Sequence, residues 1–170
     1  SIATPRGPLA LLAVVRRVVA VEVDRYLVPV LRSVVGDAGW SSVVRVVEAD
    51  ALTMDWSAVL GSGSGPWSLV ANLPYNVATP LVLDLLDGVP AISSMLVMVQ
   101  REVGERLAAS VGSPAYGAVS VKVAYWADAR VVGRVPPSVF VPEPRVESAL
   151  VSISRRVDGP AVPTSEVAFE

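Results

Sequence analysis

The chain has 170 residues, a length that suits one folded domain with a buried core. It contains neither cysteine nor histidine, which excludes disulfides, Cys/His zinc sites, thiol nucleophiles and His-based triads. Its mean hydropathy of +0.54 is high, but charged residues interrupt every apolar run before it is long enough to span a membrane. We expect no membrane span and no signal peptide, and a cytoplasmic location.

The formal net charge of −2 and the isoelectric point near 5.2 argue at first sight against a nucleic-acid partner. The charge is unevenly distributed, however. Residues 101–157 carry eight basic side chains against five acidic ones, a net charge of +3. The second half of the chain could therefore bind a polyanion.

The first half of the chain predicts alternating helices and strands. The predicted elements are a helix over 9–17, a strand over 18–23, a helix over 25–35 and a strand over 43–47. A Gly/Ser-rich surface loop follows at 61–66. This loop lacks the Lys-Ser/Thr pair of a phosphate-binding P-loop and precedes a strand, so a linker is the better interpretation.

The second half continues the alternation. It predicts strands over 67–71, 95–99, 131–132 and 148–154, and helices over 77–86, 100–110 and 116–126. Strand, helix, strand, helix is the order of a doubly wound α/β fold, with a mostly parallel sheet and helices on both faces.

The segment Asn72-Leu73-Pro74-Tyr75 ends a predicted strand, where ligands bind in open α/β sheets. The Asn72 side-chain oxygen and a turn carbonyl could accept both hydrogens of an exocyclic base amine and so orient its lone pair. Pro74 would stiffen the turn and Tyr75 could stack on an extruded base. The alternative is an ordinary Asn-x-Pro turn with a half-buried tyrosine.

Two acidic residues also lie at or just after the ends of predicted strands. Glu22 could accept both hydroxyls of a nucleotide ribose, or could be a solvated acidic residue. Asp50 could accept from the amine of an adenine, or could cap a following helix.

A proline-rich stretch, residues 136–148, predicts a stiff loop that presents Phe140. Phe140 could stack on the other face of a flipped base, with Arg145 near a phosphate. Alternatively, the stretch is a crossover in which Phe140 fills a gap in the core.

Together these stretches resemble the ribosomal RNA adenine dimethyltransferases, the KsgA family, which use S-adenosylmethionine and include the erythromycin-resistance methyltransferases. The resemblance runs from about Val18 to Ile153 in the family's order. The matching stretches are residues 21–24, 48–51, 72–80, 100–107, 116–120 and the proline-rich loop through Val151.

The resemblance implies a Rossmann-like, class I methyltransferase that dimethylates adenine N6 and is most similar to the small-subunit enzymes. We also expect a monomer and no metal site. By this resemblance, Asn72 and the Leu73 carbonyl hold the target amine on the turn stiffened by Pro74, and Tyr75 and Phe140 contact the target base. The residues it implies for cofactor binding are Gly7, Glu22, Val23, Asp50, Ala51 and Asn72. RNA contacts are expected from Arg101, Arg106, Arg134 and Arg145.

The chain departs from the family in its first residues, where a glycine-rich cofactor loop is expected and at most Gly7 and Leu9 fit the pattern. We therefore expect residues 1–157 to form a methyltransferase core without an intact first strand, with weak cofactor affinity, and 158–170 to lead toward a helical domain. The competing hypotheses are a large-subunit or DNA adenine methyltransferase, and a non-catalytic RNA-binding assembly factor.

Overall fold

The computed structural model describes residues 15–61 and 65–160. The chain divides into two compact units, Ser1–Ser62 and Gly63–Glu170, and the division falls in the Gly/Ser-rich loop. No helix within the described residues is long and apolar enough to cross a bilayer. The boundaries assigned to the core and to the connection after Val157 stay predictions.

The first unit contains a two-stranded parallel sheet, formed by β1 (Val18–Glu22) and β2 (Val44–Glu48). Helix α1 (Leu27–Asp37) joins them, and its Pro29 lies in the first turn, where the missing N–H costs no helical hydrogen bond. Helix α2 (Trp56–Leu60) follows, with Asp55 as its N-cap. These bounds confirm both predicted strands and the helix between them, whereas α2 was not predicted.

The small core of this unit contains Val18, Val35 and Val44, with Trp40 packed against them. Most of the helix predicted over 9–17 lies outside the described residues. Its last three residues, 15–17, are not helical in the structure.

The second unit contains a four-stranded sheet in the order β3-β4-β6-β5. Strands β3 (Trp67–Asn72) and β4 (Ile92–Gln100) are parallel, while β6 (Ser148–Arg155) is antiparallel to both β4 and β5 (Ala127–Val135). The α/β alternation predicted from the sequence is confirmed. Strand β5 is much longer than the two valines that predicted it.

The helices of this unit are α3 (Tyr75–Gly88), α4 (Arg101–Leu107) and α5 (Ala118–Trp126). Alternate residues of β4 and β6 are fully buried, among them Val97, Val99, Ala149 and Val151. A Cβ added at Gly104 of α4 would lie 3.0 Å from the Ala149 Cβ and 3.1 Å from the Val151 Cγ2. We call this side of the sheet the helix-covered face.

Candidate active site

The turn after β3 is held from both sides. The Leu73 N–H donates to the Met98 carbonyl of β4 at 2.9 Å, so the turn is fixed to the neighbouring strand. The Pro74 carbonyl then accepts the N–H groups of Val77 and Ala78, at 3.0 and 2.9 Å, and begins α3. Because Pro74 has an extended ψ of 151°, it redirects the chain from strand to helix without a flexible linker.

Two hydrogen-bond acceptors at this turn have no partner among the described residues. The Asn72 side chain is half-buried and makes no hydrogen bond to any described residue. The carbonyl of Leu73 likewise accepts from no group in that part of the chain. Tyr75 lies two residues after Leu73 and leaves 67% of its surface exposed. Consecutive acceptors on a fixed backbone, beside an exposed aromatic ring, could hold the amine of a base.

The proline-rich loop begins and ends at the edge of the sheet where Asn72 lies. Val135, the residue before the loop, pairs with Ser148, the last residue of the loop, and Ser148 also pairs with Gln100 at the end of β4. Asn72 pairs with Met98, which lies two residues before Gln100 on β4. Phe140 is half-buried and donates its N–H to the Pro137 carbonyl at 3.1 Å. The topology therefore places Phe140 and Asn72 at one edge, and their contact with a common base remains a prediction.

The other end of α3 is held by Arg155, a contact that the sequence did not reveal. Its guanidinium donates to the carbonyls of Leu86 at 2.7 Å, Leu85 at 2.9 Å, Ile92 at 3.1 Å and Val89 at 3.3 Å. Burial lowers the pKa of Arg155 from its usual value. A cation at the carboxyl end of a helix also complements the helix dipole. Arg155 thus anchors the helix that starts immediately after Pro74.

The acids predicted to bind the cofactor lie at or just after the paired carboxyl ends of the two strands of the first unit. Glu22 ends β1 and pairs with Glu48 at the end of β2, and Asp50 follows two residues later. This confirms the predicted placement of acidic residues at neighbouring carboxyl ends. One carboxylate oxygen of Glu22 accepts the Asp24 N–H, and one of Asp50 accepts the Leu52 N–H, both at 2.9 Å.

Asp50 caps a turn, not a helix, because the helix N-cap is Asp55, which accepts the Ala58 N–H at 2.9 Å. Beside these acids, Ala51 is half-buried and Val23 leaves 66% of its surface exposed. Gly7, the remaining predicted cofactor residue, lies outside the described residues.

Most of the predicted RNA-binding arginines form ion pairs. Arg101 lies 3.2 Å from Glu147 and 3.8 Å from Glu105, and Arg134 lies 3.9 Å from Glu105. Arg106 pairs with Glu102 one turn away on α4. Arg145 is exposed and has no acidic partner among the described residues.

The sequence matches the family model described as Ribosomal RNA adenine dimethylase over residues 8–167. A relative from Thermobifida fusca, named Ribosomal RNA small subunit methyltransferase A, is 49% identical over 158 residues, which cover 92% of this chain and 53% of the relative. A relative of the same name from Magnetococcus marinus is 47% identical over 136 residues, covering 80% of this chain and 48% of the relative.

Solved structures agree on the fold. A dimethyladenosine transferase from Plasmodium falciparum matches with a TM-score of 0.76 at 24% identity, over 88% of this chain and 52% of that one. The 23S rRNA methyltransferase ErmE matches with a TM-score of 0.70 at 23% identity, over 88% and 56%. The predicted Rossmann-like methyltransferase fold is therefore confirmed. The chain spans about half the length of the curated relatives it matches, and it belongs to the ribosomal RNA adenine dimethylase family.

Proposed function

We propose that this chain carries the S-adenosylmethionine-dependent dimethylation of adenine N6 in small-subunit ribosomal RNA. The observation that supports this most directly is the turn after β3, where Asn72 and the Leu73 carbonyl offer two acceptors that no described residue uses. The relatives named Ribosomal RNA small subunit methyltransferase A support the choice of small-subunit RNA.

The chemistry that these residues support is positioning. The lone pair of an adenine amine is delocalised into the ring, so the nitrogen is a poor nucleophile until it is oriented. Accepting both amine hydrogens at Asn72 and Leu73 would aim that lone pair out of the ring plane, where it can attack an electrophile. Tyr75 would stack on the extruded base, and Phe140 would contact it from the proline-rich loop. The amine loses one proton for each methyl group it gains, and we propose water as the acceptor of that proton.

The first unit fits a nucleoside cofactor. Glu22 and Asp50 each use one carboxylate oxygen to fix a local turn, and the other oxygen of each has no partner among the described residues. We propose that Glu22 holds the ribose hydroxyls and Asp50 the adenine amine, with Val23 and Ala51 beside that ring. S-adenosylmethionine, when bound, supplies an electrophilic methyl group on a cationic sulfonium.

The partner we propose is RNA of the small ribosomal subunit, bound by a monomer in the cytoplasm. The test measures the tritium transferred from labelled S-adenosylmethionine, at saturating cofactor, to each of three substrates. These are purified small subunits, large-subunit RNA and adenine-containing DNA. We expect label mainly in small-subunit RNA, as N6,N6-dimethyladenine. Preferential labelling of large-subunit RNA or DNA would favour the alternative methyltransferases. No labelling, together with no heat of cofactor binding by calorimetry, would favour a non-catalytic assembly factor.

A further inference from the structure

The turn that follows β2 is held by the indole of Trp56. The Trp56 Nε1–H donates to the Ala51 carbonyl at 3.0 Å, and this bond is partly shielded from solvent. At the other end of the same peptide unit, the Leu52 N–H donates to a carboxylate oxygen of Asp50 at 2.9 Å. Both polar groups of the peptide between Ala51 and Leu52 are therefore bound, one to a ring and one to an acid.

These two bonds connect Trp56 to the orientation of Asp50. A peptide unit is planar, so fixing its carbonyl also fixes the direction of its N–H. That N–H belongs to Leu52 and binds one oxygen of Asp50, whose other oxygen has no partner among the described residues. Because Asp50 is exposed, this hydrogen bond orients its side chain more than packing does.

Trp56 itself is fixed by the short helix α2. It is the first residue of that helix, and Asp55 caps the helix. Leu60, at the other end, is buried. Arg45 of β2 donates to the Val59 carbonyl at 3.3 Å. Capping, burial and a bond to β2 therefore hold the helix that carries the indole.

A fixed carboxylate oxygen can distinguish one purine from another. It accepts hydrogen bonds and cannot donate them, so it suits the exocyclic amine of adenine. It repels the carbonyl oxygen that replaces this amine in hypoxanthine, the base of inosine. A carboxylate that can rotate away relieves that repulsion, so the choice between the two bases depends on how firmly Asp50 is held.

We propose that Trp56 is a positioning residue of the cofactor site: through the peptide after Ala51, it holds the Asp50 carboxylate in the orientation that selects an adenine base. This inference rests on the proposed function, since it takes S-adenosylmethionine as the cofactor and Asp50 as the acceptor of the adenine amine. An indole that only stabilised the turn would affect folding and leave the choice of base unchanged.

The test replaces the indole with a ring that cannot donate a hydrogen bond. Trp56→Phe keeps an aromatic side chain and removes the N–H. Trp40→Phe is the matched control, because Trp40 is half-buried in the same unit and its indole N–H bonds no described residue. Calorimetric titration of the unaltered chain and both variants gives the dissociation constants of S-adenosylhomocysteine and S-inosylhomocysteine.

We expect the unaltered chain and Trp40→Phe to bind the adenosyl ligand about tenfold or more tightly than the inosyl ligand, the effect of one hydrogen bond to a charged group. In Trp56→Phe we expect this ratio to fall about fivefold, the effect of one lost hydrogen bond. Hydrogen exchange of the Leu52 N–H, measured by NMR without ligand, should accelerate in Trp56→Phe and stay unchanged in Trp40→Phe.

An unchanged ratio of the two affinities in Trp56→Phe would overturn the proposal, as would an equal fall in Trp40→Phe or unchanged exchange at Leu52. Circular dichroism and the urea midpoint establish that each variant is folded. If the unaltered chain binds neither ligand, the proposed function fails together with this inference. If it prefers the adenosyl ligand and Trp56→Phe keeps that preference, the inference alone fails.

Discussion

Replacing Gly104 by alanine tests how closely α4 packs on the sheet. A glycine inside a helix normally costs about 1 kcal/mol relative to alanine, so helix propensity alone predicts that Gly104→Ala is stabilising. The structure predicts the opposite. The new methyl group would lie 3.0 Å from the Ala149 Cβ, 3.1 Å from the Val151 Cγ2 and 3.3 Å from the Val99 Cγ2.

These neighbours have little freedom to move. Ala149 and Val151 are fully buried on β6, which is hydrogen-bonded on both sides, and Val99 is buried on β4. A Cβ has no rotamer, so the strain must be relieved by shifting the helix. Overpacking of this kind costs up to about 3 kcal/mol. Subtracting the propensity gain leaves a net destabilisation of about 2 kcal/mol.

Gly88, at the end of α3, provides the matched control in the same unit. It is exposed, and a Cβ added there meets no heavy atom within 4 Å. We expect Gly88→Ala to be neutral or to stabilise the protein by up to about 1 kcal/mol. Urea unfolding followed by circular dichroism gives both values, with a lower midpoint expected for Gly104→Ala and an unchanged or higher one for Gly88→Ala. A Gly104→Ala protein as stable as Gly88→Ala would refute the close packing of α4.

Three further substitutions test contacts and roles described above. Arg155→Lys cannot reproduce a planar guanidinium on four carbonyls, and we expect a loss of about 2 kcal/mol in the free energy of unfolding; an unchanged urea midpoint would contradict this. Ser120→Ala removes the buried hydroxyl that donates to the Arg106 carbonyl at 2.8 Å, and the free energy of unfolding should fall by about 1–3 kcal/mol. A change near zero would show that the packing of α4 against α5 does not depend on this hydrogen bond. Tyr75→Ala should raise the KM for RNA about tenfold or more, because stacking contributes about 1–3 kcal/mol per base. Tyr75→Phe keeps the ring, so its KM should stay near that of the unaltered chain. An equal rise in KM for both variants would count against stacking.

Much of the fold was predictable because apolar runs and breakers alternate regularly along this chain. The strands ending at Glu22, Glu48 and Asn72 were found within one residue of their observed ends, since each is a short, mostly apolar run followed by a turn. Helix α2 was missed because it has only five residues and a single buried position, Leu60.

Strand β5 was underestimated for a different reason. Asp128, Arg130 and Arg134 interrupt its apolar pattern, as is typical of an edge strand whose charges face solvent. Sequence patterns detect local periodicity, whereas the pairing of β5 with β6 is a long-range contact.

The charges were the least predictable part of the site. The sequence gives eight basic residues in one segment but not which acids neutralise them. Arg155 contributes to the basic segment, yet it binds carbonyls 63 to 70 residues away in sequence. Arg130 and Arg134 look equivalent in sequence, and only the register irregularity between them places them on opposite faces.

The central claim is that the acceptors after β3 hold the target amine. The direct measurement is single-turnover methyl transfer to small-subunit RNA by Asn72→Ala, at saturating cofactor and RNA. Ser68→Ala is the control, because it removes a polar side chain from the same strand and the same face, and among the described residues the Ser68 hydroxyl bonds only that of Ser94, at 2.7 Å. We predict a loss of about 100-fold or more for Asn72→Ala with RNA affinity retained, and a near-normal rate for Ser68→Ala. A normal rate of dimethylation by Asn72→Ala would contradict the account.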